Sequence, residues 1–377
     1  MDEAVLSWQE QGVSHSARWQ SEAGAPPPAR IVVVDDTTKA DAAYRLACEG
    51  TALLWRGDFQ NARQLLQAMA RRIDRKPRKP APEGQAFHLH RQAQAQRART
   101  LGMLLIPFGD GFAIPLRRAP DVASACSEAY GAARGPFVAS LRELLGVIGA
   151  HEWRKKGVDV PALGARIHPH YGVFAPVRGE YVNLVAQAPL PTGVPPTAFD
   201  IGTGTGVLAA VLARRGLQVV ATDQSPAALA CAHENVVRLG LQDSVSIRKA
   251  DIWPDGEGAP ALAGLIVCNP PWLPARPASP LEYAVFDPDS RMLRGFLAGA
   301  AQHLEPGGQV WLVMSDFAEH LGLRTRQALL EMFDQAGLCV VGRDDARPTH
   351  PRVRDASDPL HAARAAEVTS LWRLAMR

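Results

Sequence analysis

Two short stretches concentrate the residue types that can do chemistry. In "CNPPW", Cys268 to Trp272, an amide side chain (Asn269), two prolines (Pro270, Pro271) and an indole (Trp272) follow the apolar run "LAGLIV". The Asn269 amide oxygen and the Pro270 carbonyl can accept N–H groups of a ligand, and the indole beside them can stack on a planar group. In "FDIGTGTGVLAAVLARRG", glycines at 202, 204 and 206 lead from an apolar run into a helical pattern that ends at Gly216. Glycines at alternate positions let the backbone turn sharply and approach a ligand, and the helix that follows offers its partial positive charge. A cofactor belongs there. The next apolar run ends "VVATDQS", which puts Asp223 where a carboxylate can accept hydrogen bonds from both hydroxyls of an adenosine ribose. The same logic serves dinucleotides. The GxGxxG register fails from Gly202, whose sixth place is Val207, and a GxGxxA register fits only from Gly204.

The elements that must carry these stretches are short. From Phe199 onward apolar runs alternate with helical stretches, the pattern of a parallel sheet with crossover helices. Strands are expected over 198–201, 218–222, 245–249, 265–268, 310–314, 338–342 and 370–375. Ahead of them the pattern is mixed α/β: a strand over 31–34, a helix over 39–48 opening behind Asp36 and Thr37 as caps, a strand over 52–55 and a helix over 61–73. "FHLHRQAQAQRART" reads as a basic helix, and "LGMLLIPFGDGFAIPLRR" as a hairpin about its Gly-Asp-Gly turn. Helices are expected over 122–133 and 137–148. The proline-rich "AGAPPPAR" and "RKPRKPAPEGQ" read as linkers or loops. A chain of 377 residues is too long for one compact unit. Two domains are expected: 1–160, which presents the substrate, and 161–377, which holds the cofactor, with the seam in "KKGVDVPALGARIHPHYG".

"FDIGTGTGVLA", "ATDQS", "KADIW" and "NPPW", in this order and spacing, resemble the class I S-adenosylmethionine-dependent methyltransferases of the branch that carries (D/N)PP(Y/F/W), over roughly residues 167–377. The resemblance implies an α/β fold with a Rossmann-like seven-stranded sheet of order 3-2-1-4-5-7-6, whose antiparallel seventh strand is "EVTSLWRLAMR". It implies S-adenosylmethionine as cofactor. Asp200, Gly202, Thr203, Gly204 and Gly206 would hold its methionine end, Asp223 with Gln224 the ribose and Asp251 the adenine amino group, with Asn269 alongside.

On that resemblance Asn269, Pro270 and Trp272 form the catalytic set. Methyl transfer from a sulfonium is an in-line displacement, so the protein supplies position and electrostatics. A planar nitrogen is a poor nucleophile because its lone pair is delocalised. Acceptors on its two N–H bonds pull it toward a tetrahedral form, and no strong general base is needed, because the proton becomes acidic only after the methyl arrives. "VFAPVRGEYVNLV" is similar to the PRPETEELV segment of the glutamine-modifying release-factor methyltransferases: Arg178 and Glu180 match, Gly179 and Tyr181 depart. Arg178, Glu180, Tyr181 and Pro271 are the expected substrate side, and "LEYAVFDPDSRMLRGFL" also resembles that family's substrate-side segment. The expected acceptor is a planar exocyclic amine or amide nitrogen, first in RNA or DNA, with a protein glutamine or a small planar metabolite as alternatives. A cofactor-binding scaffold without catalysis and a nicotinamide enzyme are the readings from other classes.

Composition bounds the rest. Hydrophobic residues at 47% and charged residues at 21% exclude a mainly disordered chain. The amino terminus lacks the basic patch and apolar core of a signal peptide, and no run suits a membrane span, so a cytoplasmic protein is expected. Five cysteines without a CxxC pair suit reduced thiols. His168-Pro-His170 and His88-x-His90 have no carboxylate or cysteine spaced to complete a coordination set, so no metal is expected. The net charge of +3 is uneven, because the stretch from Arg56 to Arg99 alone carries 11 bases against 3 acids. That stretch, with "HEWRKKG", is the candidate nucleic-acid contact. Trp8, Trp19 and Trp55 read as core or docking aromatics. Nothing in the sequence sets an oligomeric state.

Overall fold

A computed structural model describes residues 4–75, 85–254, 261–277, 282–349 and 351–377. Most of "RKPRKPAPEGQ", with the end of its basic run, lies outside these residues. The described residues divide into two compact units, one ending at Glu152 and one starting at Trp153.

The first unit comprises β1 (Val5–Glu10), β2 (Val13–Gln20), β3 (Arg30–Val34), α1 (Ala40–Cys48), β4 (Thr51–Trp55), α2 (Phe59–Asp74), α3 (Ala86–Gly102), β5 (Leu104–Phe108), α4 (Ala123–Tyr130), β6 (Phe137–Ser140) and the start of α5 (Leu141–Lys156). Its six strands lie in the order β1-β2-β6-β5-β4-β3. β4 and β5 are buried at every position, as central strands covered on both faces must be.

Three expectations for this unit are corrected. The hairpin about Gly-Asp-Gly does not form: Asp110–Phe112 is a 3-10 turn, and the second apolar run makes no strand. Pro115 removes a ladder donor from that run, and Arg117 and Arg118 are drawn to the Asp58 carboxylate. The antiparallel partner of β5 is instead β6, which was expected to be helical. Phe108 and Phe137 stand opposite each other in this pair with ring centroids 4.3 Å apart, so cross-strand aromatic packing overrides the helical pattern. Asp36 and Thr37 do not cap α1, which starts behind Lys39 with no side-chain cap. Asp36 accepts from Asp58 N and Asn61 Nδ2, and Thr37 closes a turn on Asp35. The three tryptophans donate their indole N–H groups within this unit, to Glu10, to the Ala25 carbonyl and to the Asp58 carbonyl respectively.

The second unit opens with the hairpin β7 (Val158–Val160) and β8 (Ala165–Ile167), followed by α6 (Glu180–Gln187), β9 (Thr197–Ile201), α7 (Val207–Arg214), β10 (Gln218–Asp223), α8 (Pro226–Arg238), β11 (Val245–Lys249) and β12 (Ala263–Cys268). Then come α9 (Arg291–His303), β13 (Leu304–Ser315), α10 (Phe317–His320), α11 (Arg326–Gln335), β14 (Leu338–Ala346), α12 (His361–Ala366) and β15 (Thr369–Met376). The unit starts ahead of the expected seam because Val160, Leu163 and Ile167 of the hairpin are buried with Leu208 and Val211 of α7.

Seven strands form one sheet in the order β11-β10-β9-β12-β13-β15-β14. The first five run parallel, and β15 is antiparallel to both β13 and β14. Alternate side chains serve the two faces: Leu265 and Val267 of β12 pack toward α6 and α7, while Ile266 and Cys268 pack toward α9 and α11. Each such fully buried aliphatic side chain contributes about 1.5–3 kcal/mol relative to exposure. That burial on both faces holds the strand ends, and the loops on them, in fixed positions.

Candidate active site

In the order β10-β9-β12 the chain reverses direction of travel across the sheet between β9 and β12, and the crevice outside the carboxyl ends of the strands at such a point is where α/β sheets bind ligands. The loops after β9, β10, β11 and β12 leave from this edge. The strand ends and these loops carry Asp200 near the end of β9 with Gly202, Thr203, Gly204 and Gly206 after it, then Asp223 closing β10 with Gln224, then Asp251, then Asn269, Pro270, Pro271 and Trp272.

The glycine loop is tied from both sides. Gly202, Gly204 and Gly206 have φ of +73°, +55° and +79°, the left-handed region that costs other residues roughly 1–2 kcal/mol each. Thr203 N donates to Thr222 O at 2.8 Å and Gly204 N to Asp223 Oδ2 at 3.1 Å, so the loop is strapped to the end of β10. A Cβ on Gly206 would stand 3.2 Å from the Ala232 backbone of α8, whereas one on Gly204 would meet no atom within 4 Å. Gly206 is needed for packing, and the open side of Gly204 is where a ligand can lie against the backbone.

Asp200 is buried and works within the loop. Its Oδ2 accepts from Thr203 Oγ1 at 2.6 Å and from Ala209 N at 3.0 Å, stitching β9 to the first turn of α7. Burial raises its pKa to about 6, against the pull of those two donors. Asp223 is half-buried. Its Oδ1 accepts from Ser225 N at 2.9 Å, and burial again raises its pKa. With Gly204, Ser225 and Gln224 N–H groups on it, the carboxylate retains acceptor capacity for a hydroxyl donor. Ser225 caps α8, and Gln224 is exposed beside it. Asp251 is exposed and paired with Arg291 at 2.8 Å.

At the end of β12 the side chains organise one another. Trp272 Nε1 donates to Asn269 Oδ1 at 2.9 Å. An indole N–H is a donor only, so it selects the amide orientation in which the oxygen faces it, and that oxygen keeps a second lone pair. Trp272 is part-buried between the two faces of the core, and Pro270 is buried. The Arg178 guanidinium lies over the Trp272 ring, 5.3 Å from its centroid. Its Nε donates to Glu180 Oε1 at 2.9 Å and its Nη2 to Glu367 Oε1 at 3.0 Å. Arg178 and Glu180 therefore reach the Asn-Pro-Pro-Trp turn through Trp272.

Tyr181, expected on the substrate side, is instead 3% exposed and packed in the core with Val182 and Val185, and burial raises its pKa well above the ordinary range. It is the second residue of α6, whereas Arg178 precedes that helix.

Neither Asp287, inside "LEYAVFDPDSRMLRGFL", nor Glu367, which opens "EVTSLWRLAMR", stands out singly in the sequence. Asp287 accepts from Met292 N and Leu293 N and so caps α9, a role its position ahead of a helical run could have suggested. Glu367 had no local signal. His168 and His170 are bound into the fold: His168 Nδ1 meets the Arg154 carbonyl and His170 Nε2 meets Glu234. Among the described residues no group of three possible ligands could hold a metal, and no helix is long and apolar enough to cross a membrane.

Residues 165–340 match the family model of the methyltransferase small domain. Curated relatives include a release factor glutamine methyltransferase of Cereibacter sphaeroides, 32% identical over 158 residues that cover 38% of this chain and 53% of the relative. A second, of Xylella fastidiosa, is 35% identical and covers 44% of this chain and 61% of the relative. A ribosomal RNA small subunit methyltransferase C of Alcanivorax borkumensis is 32% identical, covering 38% and 40%. The chain thus spans about half the length of the curated relatives it matches. Among solved structures, a geranyl diphosphate C-methyltransferase of Streptomyces coelicolor aligns at 15% identity with a TM-score of 0.40, covering 59% of this chain and 89% of that one. The matched segment is thus similar to class I S-adenosylmethionine-dependent methyltransferase domains.

Proposed function

We propose that the second unit methylates a planar nitrogen, in the first place an exocyclic base amine of RNA or DNA, and that the first unit presents the substrate. Bound S-adenosylmethionine supplies a methyl group on a positively charged sulfur. The glycine loop would hold its methionine end along Gly204, Asp223 its ribose hydroxyls, and Asp251 with the Arg291 pair its adenine edge. Asp200 would act by shaping the loop.

The observation that carries the reading is the state of Asn269. Its Oδ1 is turned by the Trp272 N–H and retains a free lone pair, at the end of the strand beside β9. An acceptor nitrogen placed there donates one N–H to Asn269 Oδ1 and another to the Pro270 carbonyl, and its lone pair is left to point along the line of displacement. Arg63, Arg71, Arg75 and Arg99 are exposed on the first unit and suit phosphate contacts. Arg56, Arg72 and Arg97 of the same stretch are already paired with Glu10, Asp41 and Asp74.

A protein glutamine is the second reading, favoured by a specific observation. Tyr181, one of the two departures from the release-factor segment, faces the core, so it does not alter the acceptor side. Tritiated-methyl transfer to total RNA, total DNA and total protein, with mass analysis of the product, separates the two. The Asn269→Ala variant tests the shared mechanism: donor affinity within about twofold of the parent, and transfer reduced by about a hundredfold or more, the scale of losing one preorganised polar group. Unchanged turnover would sink the role of Asn269.

A further inference from the structure

We propose that Glu367, just ahead of the last strand, is the positioning residue that fixes the Asn269 amide, acting through Arg178 and Trp272. Its catalytic meaning rests on the reading of Asn269 above, whereas the geometry stands without it.

Glu367 is 1% exposed. Its Oε1 accepts from Ser315 Oγ at 2.6 Å and from Arg178 Nη2 at 3.0 Å, while Oε2 is sealed from solvent with no hydrogen-bond partner among the described residues. A buried carboxylate is costly unless it is paired, and among the described residues the cation paired with this one is the Arg178 guanidinium. The turn that carries it is clamped: Asp316 N donates to Val368 O at 3.0 Å, and Val368 N donates back to Asp316 Oδ1 at 2.7 Å. The carboxylate is therefore a fixed point at the junction of β13 and β15.

From that point the restraint passes outward. Glu367 on Nη2 and Glu180 on Nε fix the plane of the guanidinium, which a single partner would leave free to swing. The fixed guanidinium covers the Trp272 ring, a cation–π contact that holds the indole in the rotamer whose N–H reaches Asn269 Oδ1. The two ends of a carboxamide have nearly the same shape, and only the oxygen can accept an N–H. The relay thus keeps the accepting end of Asn269 in place. A hydrophobic replacement of the Glu367–Arg178 pair could serve stability as well, but it would set no plane over the indole.

The test needs no knowledge of the methyl acceptor. In the full chain carrying 15N-labelled tryptophan, the Trp272 indole N–H signal is assigned by its disappearance in Trp272→Phe. In Glu367→Gln, and separately in Arg178→Lys, that signal is expected to shift and its hydrogen exchange to accelerate by about two- to thirtyfold, the range a cation–π contact spans. The other indole signals should stay in place. Arg178 is partly exposed, so the lysine variant carries the test even if Glu367→Gln fails to fold. With tritiated-methyl S-adenosylmethionine and total RNA or total protein, kcat should fall while donor Kd stays within about twofold. A Trp272 signal unmoved in both variants overturns the proposal whatever the transfer assay reads. A moved signal together with full turnover by Asn269→Ala would instead remove the reading of Asn269 on which its catalytic meaning rests.

Discussion

Gly204 and Gly206 share the left-handed conformation, yet replacing each by alanine should fail differently. At Gly206 the new methyl would stand 3.2 Å from Ala232 Cα and Cβ and 3.4 Å from its carbonyl oxygen. Two of these are helix backbone atoms and the third is the methyl fixed directly to them, so α8 itself would have to give by a few tenths of an ångström. The backbone strain at φ +79° costs roughly 1–2 kcal/mol and overpacking adds roughly 1–3, so Gly206→Ala should lose about 2–5 kcal/mol. For a unit of this size each kcal/mol lowers Tm by roughly 2–4 °C, which gives a fall of about 4–20 °C. At Gly204 the methyl would enter open space, so strain alone acts, about 1–2 kcal/mol or roughly 2–8 °C. That open side faces the proposed cofactor. Gly204→Ala should therefore weaken S-adenosylmethionine binding about tenfold or more while melting higher than Gly206→Ala. Thermal unfolding by circular dichroism and calorimetric titration of the donor measure both quantities. If Gly204→Ala binds the donor like the parent, or Gly206→Ala melts no lower than Gly204→Ala, the assignment of the two glycines is wrong.

Two carboxylates of the same unit, Asp200 buried and Glu234 partly exposed, should give opposite pH dependences. Asp200, pushed up to about 6 by burial, is uncharged in both folded and unfolded chains at low pH, so its penalty on folding is absent there, grows as pH rises from about 4 to 6 and amounts to ~3 kcal/mol above that. Asp200→Asn should remove that slope in urea unfolding measured at pH 4, 5, 6 and 7, and an unchanged slope would assign it elsewhere. Burial works against the charged form of Glu234 as well, but Arg238, His170 and Arg154 prevail and hold it at about 2. Its stabilisation is present above the ordinary carboxylate range and is lost as pH falls from about 4.5 toward 2. Glu234→Gln should be less stable than the parent at pH 7, with the difference closing over that acid window; a constant difference would refute the coupling.

Local pattern carries the central strands of the second unit: β9, β10, β12 and β13 hold apolar runs because they are buried on both faces, whereas β11 and β14 are mostly exposed or half-buried. The glycine loop, Asp223 and the Asn-Pro-Pro-Trp turn lie next to those runs, so each was readable together with the element that carries it. Where the signal is short or one-sided, pattern failed. β1 and β2 are largely exposed and show little apolar alternation, so their hairpin passed unseen. Phe137–Ser140 is an apolar run too short to tell strand from helix without its partner β5. The spacing of Tyr181 and Arg178 does not say which of them faces the core, since Arg178 precedes α6 and the start of that helix sets the direction of Tyr181.

How the site is held follows from contacts between distant parts of the chain. Arg178 and Glu367 stand 189 positions apart and meet because β15 inserts between β13 and β14, bringing the turn before the last strand to the edge where β12 ends. That meeting sets the plane over Trp272, and Trp272 in turn sets the amide of Asn269. Contacts made by strands ordered out of chain sequence leave no mark on local periodicity, because the burial that selects them belongs to the whole sheet.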